Sequence, residues 1–148
     1  MRLNTCSGVI SLARGLENES ARFYEELSGK YAQSSETFLS FAKENKKNII
    51  HVERTYYGVI SDALEGCFAF DLDEDEFKID IQLADGAGYS DVVKKSIEIE
   101  EKIIKFYSDA AAQSDTLMAD VPRLFTRIAK KRDERKLKLE SLLREEKH

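Results

Sequence analysis

The 148-residue chain is 42% hydrophobic and 34% charged, ordinary values for a soluble protein and enough sequence for one domain, residues 1–148, to bury a core without staples. Its net charge of −5 argues against general nucleic-acid binding, because a negative field repels phosphate at long range. The two cysteines, Cys6 and Cys67, are isolated; with no CxxC pair they exclude a zinc ribbon, a rubredoxin-type iron centre and a redox dithiol, and reduced thiols are expected.

One proline and seven glycines in a chain rich in Lys, Glu, Leu, Ala and Arg favour long helices, and an all-α protein is expected. The apolar run from Val9 to Ala13 is too short for a signal-peptide core or a membrane span, so the expectation is a cytoplasmic protein with no membrane partner. Taken at 100° per residue, a first amphipathic helix covers roughly residues 6–31, with Val9, Leu12, Ala13, Leu16, Phe23, Leu27 and Tyr31 on one face. A second covers roughly 34–64 and aligns Phe38, Phe41, Ala42, Ile49, Val52, Tyr56, Val59 and Ile60. The connection that follows, "EGCFAFDLDEDEFKIDIQLADGAG", is too long for a hairpin turn. Within it Asp71, Asp73 and Asp75 have the first spacings of a calcium loop, but Glu76 stands where the loop needs glycine and Gln82 where it needs a bidentate glutamate; a solvated loop is expected. A third helix, roughly 89–114, aligns Val92, Ile99, Ile103, Phe106 and Ala110, and a fourth, roughly 117–146, aligns Val121, Leu124, Phe125, Ile128, Leu139 and Leu142. The basic run 127–138 is interrupted by Asp133 and Glu134 and reads as a solvated helix face. Short links within each helix pair and one long link between the pairs predict two antiparallel hairpins joined by a crossover.

The two halves also resemble each other. "ENESARFY" (17–24) and "EEKIIKFY" (100–107) both read Glu, six residues, Tyr, with Phe before the Tyr; "FLSFAKENKKN" (38–48) and "FTRIAKKRDER" (125–135) share Phe, three residues, Ala, Lys. In these motifs the chain resembles the rubrerythrin-like branch of the ferritin superfamily, nearly along its whole length. There the first helix of each hairpin carries Glu-x6-Tyr and the second Phe/Leu-x3-Ala-x-Glu-Glu-x-x-His, whose second Glu and His bind iron. The resemblance implies a ferritin-like four-helix bundle, and it puts Glu17 and Glu100 at first-helix ligand positions with Tyr24 and Tyr107 behind them. It also exposes a departure. Asn45 and Asn48 in the second helix, and Arg132 and Arg135 in the fourth, stand where each Glu and His would bind metal. An amide is a poor iron ligand, and a guanidinium has five donors and no accessible lone pair.

The helix wheel alone sets Arg132 and Arg135 in the middle of an apolar stripe, between Ile128 and Leu139, where a charge needs a partner. Asn45 lies inside its own stripe, and Glu17 and Glu100 lie on the shoulders of theirs. Two carboxylates and two guanidiniums balance, so the arginines are expected to neutralise the glutamates in place of iron; the alternative is that they snorkel out through a bundle end. His51, seven residues after Glu44, points away from the stripe, His148 is terminal, and Glu19, Glu98 and Glu101 are flanking charges. The resulting expectation is a protein that has lost its di-iron ligands, binds no cofactor and acts as a structural or interaction module, as a homo-oligomer and specifically a dimer. The alternative is a rubrerythrin-type oxidoreductase or iron-handling protein that keeps a reduced metal site, with iron on Glu17, Glu100 and a nearby Glu. A third possibility is anion binding beside Arg132 and Arg135.

Overall fold

The computed structural model describes the backbone of residues 2–60, 70–114 and 120–146. Four long helices dominate it: α1 (Cys6–Lys30), α2 (Ser35–Ile60), α3 (Tyr89–Gln113) and α4 (Asp120–Glu146). The all-α expectation holds, and each predicted helix is found. The predicted extensions over 61–64 and 117–119, the side chains of Val59 and Ile60, and the residues Cys67 and His148 lie outside the described residues.

Local chemistry accounts for the helix ends. The extended Thr5 caps α1, its hydroxyl accepting from the Gly8 amide at 3.1 Å. A side chain on Gly8 would come within 3.3 Å of that capping oxygen. Before α3 the chain turns through Ala84–Ala87, closed by an Ala87 N–H to Ala84 carbonyl bond of 3.1 Å, with Gly86 at φ 73°, a conformation that glycine adopts without steric cost. The single proline, Pro122, falls in the first turn of α4, where its missing N–H has no partner to lose.

Side-chain contacts give the relative directions of the helices. Arg14 meets Glu53 and Glu25 meets Lys46, so α1 and α2 run in opposite senses. Glu101 meets Lys136 and Tyr107 packs on Phe125, so α3 and α4 do the same. Among the described residues, the predicted stripes of α3 and α4 are buried throughout. In α1 and α2, Val9, Ala13, Leu16, Phe23, Leu27, Phe38, Ala42 and Val52 are buried, and Leu12, Tyr31, Phe41 and Tyr56 pack against them partly exposed. All four helices contribute to one apolar cluster.

The long connection is only half the solvated loop that its charge suggests. Asp71, Asp75, Glu76 and Asp80 are exposed, Asp71 pairing with Arg2 and Asp75 with Lys78. Phe70, Leu72 and Phe77, however, are buried in the core, with Phe77 edge-on to Phe106 of α3 at 5.5 Å. Two short strands hold the segment, β1 (Arg2–Leu3) and β2 (Leu72–Asp73), paired antiparallel with Leu3 opposite Leu72. Beyond Phe77 the chain follows α3 back toward its start, with the Lys78 carbonyl accepting from Lys102 and Asp80 near Lys95. The apolar side chains Ile79, Ile81 and Leu83 alternate with polar ones and turn toward the core, as an extended segment over a hydrophobic surface requires.

Candidate functional site

Among the described residues ten polar or charged side chains are buried, and six of them, gathered at mid-height of the four helices, are those singled out by the sequence: Glu17, Asn45, Asn48, Glu100, Arg132 and Arg135. Glu17 and Glu100, read from the sequence as stripe-shoulder residues, have no exposed surface at all. A shoulder on one helix becomes interior once helices stand on both sides of it.

Arg132 lies between the two carboxylates. Its Nε and Nη2 donate to Glu17 Oε2 at 3.1 and 2.8 Å, and its Nη1 donates to Glu100 Oε1 at 2.6 Å. Nη2 also donates to Ser20 Oγ and Asn45 Oδ1, each at 3.1 Å. Arg135 donates through Nη1 to Asn45 Oδ1 at 2.8 Å and to Glu100 Oε2 at 3.4 Å, and through Nη2 to the Phe41 carbonyl at 3.2 Å and Glu44 Oε1 at 2.8 Å. Its guanidinium stacks over the Phe41 ring at 4.7 Å and the Tyr24 ring at 5.5 Å. Both arginines are therefore interior, and the snorkelling alternative fails: their side chains are 0% and 1% exposed.

The phenols complete the arrangement across the hairpins. Tyr24 of α1 donates to Glu100 Oε2 of α3 at 2.6 Å, and Tyr107 of α3 donates to Glu17 Oε2 of α1 at 2.8 Å. Asn48 donates to Glu17 Oε1 at 3.0 Å. Every oxygen of both carboxylates is thus a hydrogen-bond acceptor, as buried charge demands. Two buried nitrogens, Asn45 Nδ2 and Arg135 Nε, have no hydrogen-bond partner among the described residues.

These contacts govern ionisation. Burial alone raises the pKa of the Glu100 carboxyl, but Arg132 and Arg135, with the hydroxyl of Tyr24, outweigh it and hold it below the ordinary glutamate range. Burial works against the charge on Arg132 too, yet Glu100 and Glu17 more than offset it, and the guanidinium stays protonated well above its usual limit. Tyr24 and Tyr107 are pushed far upward, first by burial and then by the carboxylate each one faces.

The donor set does not fit a metal. A cation at the point equidistant from Glu17 and Glu100 would have to displace Arg132, and the positions flanking that point offer amides and guanidiniums rather than carboxylates and imidazoles. Among the described residues no group of three or more His, Cys, Asp or Glu side chains could hold an ion. Anion binding directly on the arginines meets the opposite obstacle, since Nε of Arg135 is the only guanidinium nitrogen of the pair without an acceptor.

Two participants escaped the sequence reading. Ser20 sits one turn after Glu17 and accepts from Arg132, while Glu44, weighed there only as a partner for His51, instead takes the outer edge of Arg135. Glu44 precedes Asn45 on α2, so its position just outside the stripe was the available signal. His51 is exposed, as its wheel position suggests, with Nδ1 3.1 Å from Arg127 Nη2. No family model, curated protein or solved structure matches the chain.

Proposed function

We propose that the chain is a ferritin-like four-helix bundle of rubrerythrin type in which an internal cation, Arg132, has taken the place of the di-iron pair, and that it serves as a structural or interaction module. The reading includes a homodimer in the cytoplasm, without nucleic acid or membrane as partner. One observation carries it: a single guanidinium, wholly buried, bonds both Glu17 and Glu100, the two residues that the resemblance puts at iron-ligand positions. The surrounding geometry supports the same correspondence. Asn48 and Arg135 each reach the glutamate of their own hairpin, where terminal imidazoles would stand, and Asn45 and Arg132 meet between them, where bridging carboxylates would stand. A protein arranged in this way keeps the order that a metal would impose on the core while forgoing its chemistry.

The test is to restore the ligands. Asn45→Glu, Asn48→His, Arg132→Glu and Arg135→His together would supply four carboxylates and two imidazoles, a set suited to two ferrous ions in a helical bundle. Without metal the variant is expected to be less stable, because four crowded carboxylates repel. Anaerobic ferrous iron should raise its melting temperature by binding the folded state, and leave the parent unchanged. A folded variant that binds no iron, or a parent that carries stoichiometric iron when purified without chelator, would refute the assignment. Sedimentation equilibrium yielding a monomer would refute the dimer.

A further inference from the structure

The molecule is acidic overall, yet the seam where α2 meets α4 is basic. Lys43, Lys47 and His51 follow one another at four-residue spacing along α2, and Arg127 and Lys131 do so along the antiparallel α4. The two rows face each other across a groove of about 530 Å³, into which Lys43, Lys47, His51 and Lys131 project. That volume suits a small ligand, and the polar walls suit a charged one. Two carboxylates also border the groove: Glu44, already taken by Arg135, and Glu36 near the start of α2. The cations are thus left in excess, an arrangement that destabilises the fold slightly in the absence of an anion.

The same excess acts on His51. Burial lowers its pKa first, and the charges of Arg127, Arg54, Lys131 and Lys47 lower it further. An arginine can only donate, so Nδ1 of the imidazole accepts from Arg127 and the ring proton lies on Nε2. The groove therefore presents three compact ammonium groups and a neutral N–H donor. Lysines suit a phosphate group, which spreads two negative charges over three oxygens, while a single carboxylate would leave most of the field unanswered.

We propose that the groove between α2 and α4 binds a phosphate-bearing small molecule, held by Lys43, Lys47 and Lys131. The groove adjoins the core network through Glu44 and Asn48, but its three lysines take no part in that network and the proposal does not depend on the bundle's ancestry. Free phosphate esters and phospholipid headgroups share this chemistry.

Because His51 and His148 are the only histidines, a His148→Gln protein leaves His51 as a single imidazole probe for NMR. Sodium pyrophosphate, titrated at constant ionic strength against sodium chloride, is expected to shift the His51 resonances saturably and raise the His51 pKa as the anion cancels the surrounding charge. Lys47→Gln and Lys131→Gln, both at exposed positions and so harmless to folding, should each weaken binding about tenfold or more. Lys130→Gln, exposed but outside the groove, should leave it unchanged. Glycerol phosphate and vesicles containing phosphatidic acid then separate the sources: binding of the ester supports a soluble ligand, and binding of the vesicles alone supports a headgroup in the same site. Equal shifts from chloride and pyrophosphate, or equal losses from Lys47→Gln and Lys130→Gln, would overturn the proposal.

Discussion

The two helical hairpins are alike in what they contribute to the negative side of the core and unlike in what they contribute to the positive side. Each supplies one glutamate from its first helix and one tyrosine a turn or two later, and each tyrosine bonds the other hairpin's glutamate. From the second helices, α2 brings two amides and α4 brings two guanidiniums, at matching places in the repeat. Neutralising a pair of buried carboxylates does not require a symmetric device. A single arginine with donors on three nitrogens reaches both at once, and the opposite helix need only offer an acceptor, Asn45 Oδ1, for the donors left over.

The comparison breaks most visibly at its asymmetric positions. Arg132→Leu strands two buried carboxylates and should lower stability by about 3–5 kcal/mol, whereas replacing the whole network, Glu17, Glu100, Arg132 and Arg135 together with Tyr24, Tyr107, Asn45 and Asn48, by well-packed apolar residues should be neutral or stabilising. Urea melts of both variants measure this; a small loss in Arg132→Leu would mean the charge is solvated. Asn45→Leu, at the matching position of the other hairpin, should cost less, about 1–3 kcal/mol for the acceptor withdrawn from two guanidiniums.

The symmetric positions should instead behave alike. Tyr24→Phe and Tyr107→Phe each remove one hydroxyl from a buried carboxylate, an effect of about 1.5–3 kcal/mol, and the two losses should agree within experimental error. The same pairs predict both limbs of the pH–stability curve. Because the Glu100 carboxyl is held below its ordinary range, the unfolded chain takes up a proton first as pH falls, and stability declines through and below the ordinary glutamate range. Because both phenols are held above theirs, the unfolded chain loses protons first above about pH 10, and stability declines there as well. Denaturant midpoints from pH 3 to 11 test both, and the alkaline loss should shrink in either Phe variant. The smallest effect belongs to Glu44→Gln, since the Glu44 side chain is 35% exposed and its pairing with Arg135 is partly screened; a change of about 0–1 kcal/mol is expected.

Sequence pattern disclosed the helices because each buries one face along its whole length, so a 3.6-residue period runs uninterrupted through Val92, Ile99, Ile103 and Phe106. It disclosed Arg132 and Arg135 for the same reason, as charges inside such a stripe. The strand pair at Leu3 and Leu72 left no trace, because two residues are too few for a period of two to register. In the connection, the acidic run drew the reading toward solvent and masked the alternation of Ile79, Ile81 and Leu83 just beyond it. Charge balance disclosed the pairing of the arginines with Glu17 and Glu100, but not their remaining partners, since a single helix's wheel does not say which atoms a neighbouring helix presents. Ser20 and Glu44 became visible only once α1, α2 and α4 stood together.

The crossed tyrosine bonds have the form of an isologous contact, residue i of one unit on j of the other and j on i, which two identical hairpins would make about a two-fold axis. Here the two units are no longer interchangeable. Two copies of the first hairpin would bury a pair of carboxylates with no cation between them; two copies of the second would bury four guanidiniums against two carboxylates. Only unlike hairpins match, so chains crowded together during folding are discouraged from pairing like halves, and the exchange that remains open, the first hairpin of one chain with the second of another, rebuilds the same core.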